Sequence, residues 1–397
     1  MFERLRSIIT RARVAWTGAE GWQYKTLLGP STSGQSVTPA TATQIASVSA
    51  CVKLLSRTVA NLGVQIYEET EDKRQPAKQH TVYNLLTLTP DGEINAFEFW
   101  EMLVSDMLLY GCGYAHIQRD TAARPIELHL IPAPAVQEKR AAGSRFFQVE
   151  GHDDLIHSVD MLCIRGYDGQ SVIAAQKETI GLALSAQQFA NAFYSGKGNM
   201  LGILSSDNPL KKEQIKAVRE SWNDTSGGEL STKVLPMGFK YTRISVDPAG
   251  AQALESRKYA DEQICTAFGV PPSLVQIQAG TTYSNTEQQN IHFAQHTILP
   301  LAKRIEAEVN HKLLTEAERG RYFARVDIKE LYKGDLAARS NYYNQMLQSG
   351  TMSINEVRRF EDLPAVENGE LHTVQVNQVS LQSFKDYSAK ISKDETK

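Results

Sequence analysis

Ile45, Val48, Val52, Leu55, Val59 and Leu62 recur at alternating spacings of three and four, which is one apolar face of an α-helix. Such a face has to be covered, so the chain that follows must fold back over it. Gly63 ends the helix, because glycine enters the left-handed conformation that closes many helices. Val64 to Glu68 then alternates as a strand. Phe97, Trp100, Leu103, Val104, Met107 and Leu108 predict a second amphipathic helix, closed by Gly111. Strand-like runs follow at Tyr114 to Gln118, Ile126 to Ile131, Arg145 to Val149 and Met161 to Arg165, punctuated by Pro and Gly. Helices interleaved with short strands predict an α+β domain.

The chain of 397 residues has 42% hydrophobic and 22% charged residues, enough to bury a core. A formal net charge of −3 gives no global basic footprint, so any contact with nucleic acid has to be local or weak. Cys51, Cys112, Cys163 and Cys265 lie far apart without CxxC spacing; three sit in apolar surroundings and read as buried free thiols of a reducing compartment. No apolar run approaches the roughly 20 residues that span a bilayer. The start, with Arg4, Arg6, Arg11 and Arg13 among Leu5, Ile8 and Ile9, reads as a basic arm or frayed terminus, not a targeting peptide. Gly18 to Pro39 reads as a flexible lead-in.

The middle of the chain changes character. Ser171 to Ser195 is dense in alanine (Ala174, Ala175, Ala183, Ala186, Ala190, Ala192), closes at Gly196 and predicts one helix roughly 37 Å long. Its small side chains suit either a buried core helix or a helix packed between subunits. A compact insert follows over Asn199 to Ile244, with a helix-like LKKEQIKAVRESW, a Gly227-Gly228 turn and strand-like runs at Lys233 to Leu235 and Phe239 to Ile244. Asp247 with Pro248 marks a helix start, and Gly269, Pro271 and Pro272 mark its end. The next loop, Ser273 to Tyr283, carries no charge. Ser284 with Glu287 is a candidate capping box for the following helix, whose stripe is Ile291, Ile298, Ala302, Ile305, Val309 and Leu313. Pro300 is expected to kink that helix. A strand near Tyr322 to Ile328 leads to helices at about Asp335 to Gln348 and Ile354 to Asp362, the second with a capping box of Ser353 and Glu356. The charged tail from Ser383 is expected to fray.

Residues that carry chemistry are sparse. SGKGN at Ser195 to Asn199 lacks the upstream glycine and the hydroxyl residue of a phosphate loop. GCG at Gly111 to Gly113 leaves a helix instead of entering one, the wrong polarity for a dinucleotide site. His292 and His296 stand four apart, but Phe293 occupies the glutamate position of an HExxH metal site. Asp153-Asp154 reads as a solvated turn, and no GxSxG elbow is present. A DNA-reading helix-turn-helix in the last two helices fits poorly, because Arg358-Arg359 lies late in the second helix beside Glu361 and Asp362. No catalytic constellation, cofactor site or metal site emerges.

Several blocks, taken in order, resemble the portal (head–tail connector) family of siphophages over roughly Val37 to Val376. They are SACVKLL (Ser49 to Leu55) with Ala60 and Leu62, LLYGCGYAHI (Leu108 to Ile117), FGVPPSLV (Phe268 to Val275), TTYSNTEQQ (Thr281 to Gln289), LPLAKRIEAEVNHKLL (Leu299 to Leu314) and YYNQMLQSGTMSINEVRRFEDLP (Tyr342 to Pro364). One departure is Cys163, where the family usually has histidine, in a segment shortened before the long helix. The resemblance implies a non-enzymatic subunit of a dodecameric ring without a cofactor. Its α+β portal fold would comprise a flexible arm (1–36), a wing (37–170), a stem helix (171–195), a clip (196–246) and a second stem helix (247–270). A tunnel loop (271–284), a kinked helix (285–316), a wing strand with crown helices (317–382) and a flexible tail (383–397) would complete it.

The partners so implied are further copies of the chain, double-stranded DNA passing without sequence readout, the terminase large subunit, a head–tail adaptor, and the major capsid and scaffold proteins, with no membrane. The place implied is a capsid vertex, assembled in the host cytoplasm. Gln276, Gln278, Gly280, Thr281 and Thr282 would face the DNA, and Lys211, Lys212, Glu213, Lys216 and Arg219 would form the docking surface of the clip. The loop chemistry suits a bore, because each Lys or Arg on phosphate releases counterions and adds affinity that slows passage. An ordinary surface loop is the plain alternative. The rival functions are a nuclease, which needs clustered carboxylates for metal, and a membrane-surface scaffold using the Arg-rich arm.

Overall fold

The computed structural model describes residues 30–70, 74–141, 144–152, 154–194, 202–206, 212–223, 239–243, 250–277, 283–328, 336–361 and 363–372. The chain divides into two compact units, Met1–Asp327 and Ile328–Lys397.

The first unit opens with a short helix α1 (Pro39–Ala42), capped by Thr38 in a box with Thr41. The first apolar stripe forms α2 (Ala46–Leu62), and Gly63, at φ 63°, closes it. After β1 (Gln65–Glu69), β2 (Arg74–Pro76) and α3 (Thr81–Thr87), the second stripe forms α4 (Ala96–Tyr110) under an Asn95 cap. The stripe differs from expectation at one position. Phe99 is 1% exposed and Phe97 44%, so Phe99 belongs to the buried face. The indole N–H of Trp100, beside it, donates to Leu86 O at 3.2 Å, so the largest core side chain brings no unpaired donor inside.

The turn out of α4 depends on close backbone approach. Gly111 has φ 92°, and a Cβ there would meet the backbone at Gly169 to Ser171, while one on Gly113 would collide with the carbonyl of Leu103. That packing lets β3 (Cys112–Arg119) run directly back along α4. β3 is the centre of a sheet ordered β4-β3-β8, with β4 at Pro125–Ile131 and β8 at Met161–Arg165. A second sheet of β5 (Val136–Ala141), β6 (Ser144–Val149) and β7 (Leu155–His157) packs on it through Ile131, Val136, Phe147, Val149 and Met161, with Tyr114 and Ile156 at the margin.

The alanine-rich segment is not one continuous helix. Ser171 caps a short α5 (Val172–Ala175), Gln176 leaves helical geometry at φ −105° and ψ 25°, and α6 runs over Lys177–Tyr194. The described end of the expected flexible lead-in is held along α6. Thr32 N donates to Glu178 Oε2 at 2.9 Å, and Gln35 and Gln188 exchange amide hydrogen bonds at 2.9 and 3.0 Å. In the insert, β9 (Gly202–Ser206) pairs antiparallel with β10 (Phe239–Arg243), and α7 (Lys212–Asn223) stands between them in sequence. The run Lys233 to Leu235, the Asp247-Pro248 start and Gly196 lie outside the described residues. α8 (Gly250–Phe268) packs on α6 and on α2.

α9 (Tyr283–Phe293) begins before Ser284, which lies within the helix instead of capping it. The disturbance expected at Pro300 takes the form of a π turn, Ala294–Ile298, leading into α10 (Leu299–Leu313). Proline has no N–H to continue the α ladder, and a widened turn ahead of it accommodates the loss. The stripe of α10 is buried at Ala302, Ile305, Val309 and Leu313. Its polar side chains join two sheet edges. Glu306 Oε1 accepts Val326 N at 2.9 Å and Asn310 Oδ1 accepts Ala324 N at 2.6 Å, beside β11 (Tyr322–Arg325), which ends before the expected Ile328. On the other side, Glu308 Oε1 accepts Cys163 N at 3.3 Å and Arg304 donates to Arg165 O at 2.7 Å on β8. β11 pairs with β1 in the sheet β11-β1-β2, so α10 covers one edge each of two sheets that would otherwise expose ladder groups.

The second unit contains α11 (Leu336–Gln348) and α12 (Ile354–Phe360). The capping box of Ser353 with Glu356 is present as expected. Asn355 is buried, and its amide bonds Val366 O at 3.0 Å and Val366 N at 2.8 Å, folding the segment after α12 back onto that helix.

Candidate channel loop and docking helix

α8 stops at Gly269, whose φ is 67° and whose carbonyl accepts Thr297 Oγ1 at 2.6 Å. A Cβ at this position would lie 2.9 Å from Thr297 Oγ1, so conformation and space both call for glycine. Pro272–Val275 forms a 3-10 turn. Its Ser273 hydroxyl hydrogen-bonds Gln289 Oε1 on α9, joining the outgoing and returning limbs of the loop. Gln276 follows in the left-handed region at φ 61°, exposed, its N–H directed back at Ser273 O at 3.2 Å. Ile277 N donates to Pro272 O at 3.0 Å. Of the sequence-derived loop residues only Gln276 is placed; Gln278, Gly280, Thr281 and Thr282 lie outside the described residues. Both limbs of the loop are therefore fastened, and five residues, 278–282, join them.

Lys212, Glu213 and Lys216 are exposed on α7, with Lys212 and Lys216 one turn apart. Arg219 is on the same helix, its side chain outside the described set, and Lys211 precedes the described start of the helix. The strand partner β9 gave little sequence signal, because GILSS is short and half polar.

Chemistry at other sites is limited. The rings of His292 and His296 lie 4.3 Å apart on an exposed face. No group of three or more His, Cys, Asp or Glu among the described residues could hold a metal. No described helix is long and apolar enough to cross a membrane. Arg119 serves architecture. Its guanidinium reaches Asp160 Oδ1 at 2.9 Å, Ala123 O and Val159 O at 3.1 Å, and Lys312 O at 2.8 Å, tying the β3–β4 turn to the end of α10.

The model of the phage portal protein family matches residues 46–362, from the first stripe to the last helix. The chain belongs to this family. It is 26% identical over 352 residues to the portal protein of Enterobacteria phage HK97, covering 85% of this chain and 83% of that protein. It is 26% identical over 360 residues to the probable portal protein of Streptomyces phage phiC31, covering 85% and 78%. Among solved structures, an HK97-family phage portal protein from Corynebacterium diphtheriae aligns with a TM-score of 0.61 at 18% identity, over 76% of this chain and 99% of that one. The neck of a native gene transfer agent particle, computed with C12 symmetry, aligns at 0.55 and 19% identity, over 87% and 99%. These structures share the fold. The departure at Cys163 leaves the strand intact, since β8 runs through it to Arg165 before a 3-10 turn at Tyr167–Gly169 and the Ser171 cap.

Proposed function

We propose that this portal-family chain assembles as a ring of twelve at one capsid vertex and surrounds the path by which double-stranded DNA enters and leaves the head. The observation that carries this reading is the family match over residues 46–362, which spans α2, the insert and the helices on either side of the uncharged loop. In this reading 37–170 is the wing, 171–195 and 247–270 are the stem, 196–246 is the clip, 271–284 is the tunnel loop, and the helices of the second unit are the crown. Gln276, Gln278, Gly280, Thr281 and Thr282 offer hydrogen bonds and no fixed positive charge, which favours passage over retention of a polyanion. Ring symmetry would repeat any charge placed there once per subunit.

The chain acts without chemistry of its own. The packaging motor is the terminase large subunit, which docks on the clip through Lys211, Lys212, Glu213, Lys216 and Arg219 and later gives way to the head–tail adaptor. Capsid and scaffold proteins are further partners, and assembly takes place in the host cytoplasm. Negative-stain microscopy of the purified full chain tests the central claim. Rings with a central hole are expected. A preparation that stays monomeric at every concentration, with and without scaffold protein, would overturn it.

A further inference from the structure

Four cysteines that look unrelated in sequence are brought together as two pairs. Cys51, on α2, directs its thiol at Cys265 Sγ on α8, 3.8 Å away, and both side chains are 0% exposed. One turn earlier on each helix, Ser47 Oγ donates to Asp261 Oδ1 at 2.7 Å. Both contacts span 214 residues, so the two helices run side by side in the same direction with small side chains between them. Cys112 and Cys163 are also neighbours, and the Cys112 thiol donates to Gly113 O at 3.6 Å, but they lie on adjacent antiparallel strands whose register opposes Cys112 to Arg165 and Tyr114 to Cys163. That makes them a diagonal pair.

We propose that Cys51 and Cys265 are a dithiol–disulfide couple that fastens α2 to α8 when the protein meets an oxidising environment. Their sulfurs need to close by roughly 1.8 Å to reach bonding distance, which side-chain rotation and a small helix shift supply. The diagonal pair is not equivalent. Diagonal Cα atoms on antiparallel strands stand about 7–8 Å apart, beyond the span of a disulfide, and ladder hydrogen bonds hold them there. The two sulfurs of the helix pair are also chemically distinct. The hydrogen bond from Cys51 brings the Cys265 thiol below its ordinary pKa, whereas that same bond and burial raise Cys51.

With a small disulfide such as oxidised glutathione as oxidant, the thiolate of one cysteine of the pair attacks one glutathione sulfur and expels glutathione thiolate. The other cysteine, losing its proton, then attacks the sulfur of the first and expels the second glutathione. Two S–H bonds are replaced by one S–S bond, and one oxidised glutathione becomes two reduced molecules. Because both thiols are buried, the reaction proceeds through transient parting of the helices and speeds up on mild warming. A chain reduced during assembly and oxidised in a released particle would thereby gain a covalent tie from the first apolar helix to the helix that leads into the 271–284 loop.

The test uses the full chain, with oxidised glutathione over a range of temperatures below the melting transition, followed by mass spectrometry of an unreduced digest. The expected product links the peptide containing Cys51 to the one containing Cys265 within one chain. It is reversed by dithiothreitol and accompanied by a higher melting temperature. Cys112→Ser should retain the link and Cys51→Ser should lose it. The idea fails if the wild-type chain forms no Cys51–Cys265 link at any of these temperatures, or if a Cys112–Cys163 link forms in preference. Since the mapping is done on the wild-type chain, a variant that fails to fold does not blunt the test. Ring formation is not the readout, so a failure here is distinct from a failure of the portal assignment.

Discussion

Glu306, on α10, is 7% exposed and accepts the backbone N–H of Val326 through one oxygen, while Lys303 Nζ lies 2.6 Å from the other. The first bond satisfies a buried donor just past the end of β11. The second, from a lysine whose side chain is 64% exposed, adds little by comparison. Replacing Glu306 by alanine leaves the Val326 N–H unpaired in the interior and is expected to destabilise the chain by about 1–3 kcal/mol. Glu306→Gln keeps an acceptor and should lose clearly less. Urea titration of both variants decides this, and equal losses would show that the ion pair with Lys303 dominates.

Asp106 carries the clearest expected pH dependence. Burial against the β4 side of α4 raises its pKa to about 7, opposed by the hydrogen bond it accepts from Ala133 N at 3.0 Å. It lines a cavity of about 440 Å³ with Asp91, Glu93, Glu101 and Lys53. A carboxyl raised in the folded state binds its proton more tightly there than in the unfolded chain. Its contribution is therefore fully present below the unfolded pKa of 3.8 and is lost as pH rises through about 7. Asp106→Asn removes this titration and keeps the acceptor for Ala133. The stability difference between variant and wild type should shift in favour of the variant from pH 5 to pH 8, with a slope of at most about 1.4 kcal/mol per pH unit. A pH-independent difference would show that Asp106 titrates normally.

Gly269→Ala combines a left-handed φ of 67° with a Cβ 2.9 Å from Thr297 Oγ1. A loss of about 1–2 kcal/mol is expected from the backbone alone. Thr297→Ala removes the contact and the hydrogen bond but leaves the φ requirement. The double variant should therefore lose less than the sum of the two single changes, measured by thermal melts in a double-mutant cycle. Full additivity would show that Thr297 does not crowd the new methyl group.

Which features the sequence revealed follows from the range of the forces involved. The stripe of α2, the Gly63, Gly111 and Gly269 stops and the Ser353–Glu356 box were legible because each depends on neighbours within a turn or two. The choice between Phe97 and Phe99 was not. α4 is apolar on much of its circumference, and the packing against α2 and β3 decides which ring is buried. The break at Gln176 was hidden in a segment of good helix formers, where the Ser171 cap and the docking of residues 31–35 on α6 override propensity. β5, with the sequence VQEKRA, has no apolar alternation and is held by its pairing with β6. The Cys51–Cys265 pair was invisible for a simpler reason: partners 214 residues apart leave no local mark. Of the candidate channel residues, the sequence located the fastened limbs through Gly269 and the two prolines, but only the structure revealed the Ser273–Gln289 tie between them.

If α7 is the docking surface of the clip, changing Lys212 and Lys216 to glutamate together with Arg219 should abolish terminase-dependent packaging or tail joining while rings still form. Charge reversal acts mainly on encounter and orientation with a charged partner. A packaging assay and a tail-joining assay on the same rings separate the two partners. Normal results in both would remove α7 from the docking role.

The last expectation concerns the loop between the two fastened limbs. Thr281→Arg with Thr282→Arg adds two positive charges per subunit to a segment that carries none from Ser273 to Tyr283. In a closed ring those charges form a belt, and DNA threading the belt would exchange condensed counterions for arginine contacts at every step. Packaging should slow or stall at low salt and recover as salt rises, because screening shortens the reach of the added attraction from roughly 10 Å at 0.1 M to 3 Å at 1 M. Ring assembly should survive, since Gly269, Thr297, Ser273 and Gln289, which fasten the limbs, are untouched. A paired substitution, Thr281→Gln with Thr282→Gln, controls for side-chain size and should package normally. Arginine variants that fill heads at the wild-type rate in low salt would place this loop away from the DNA path.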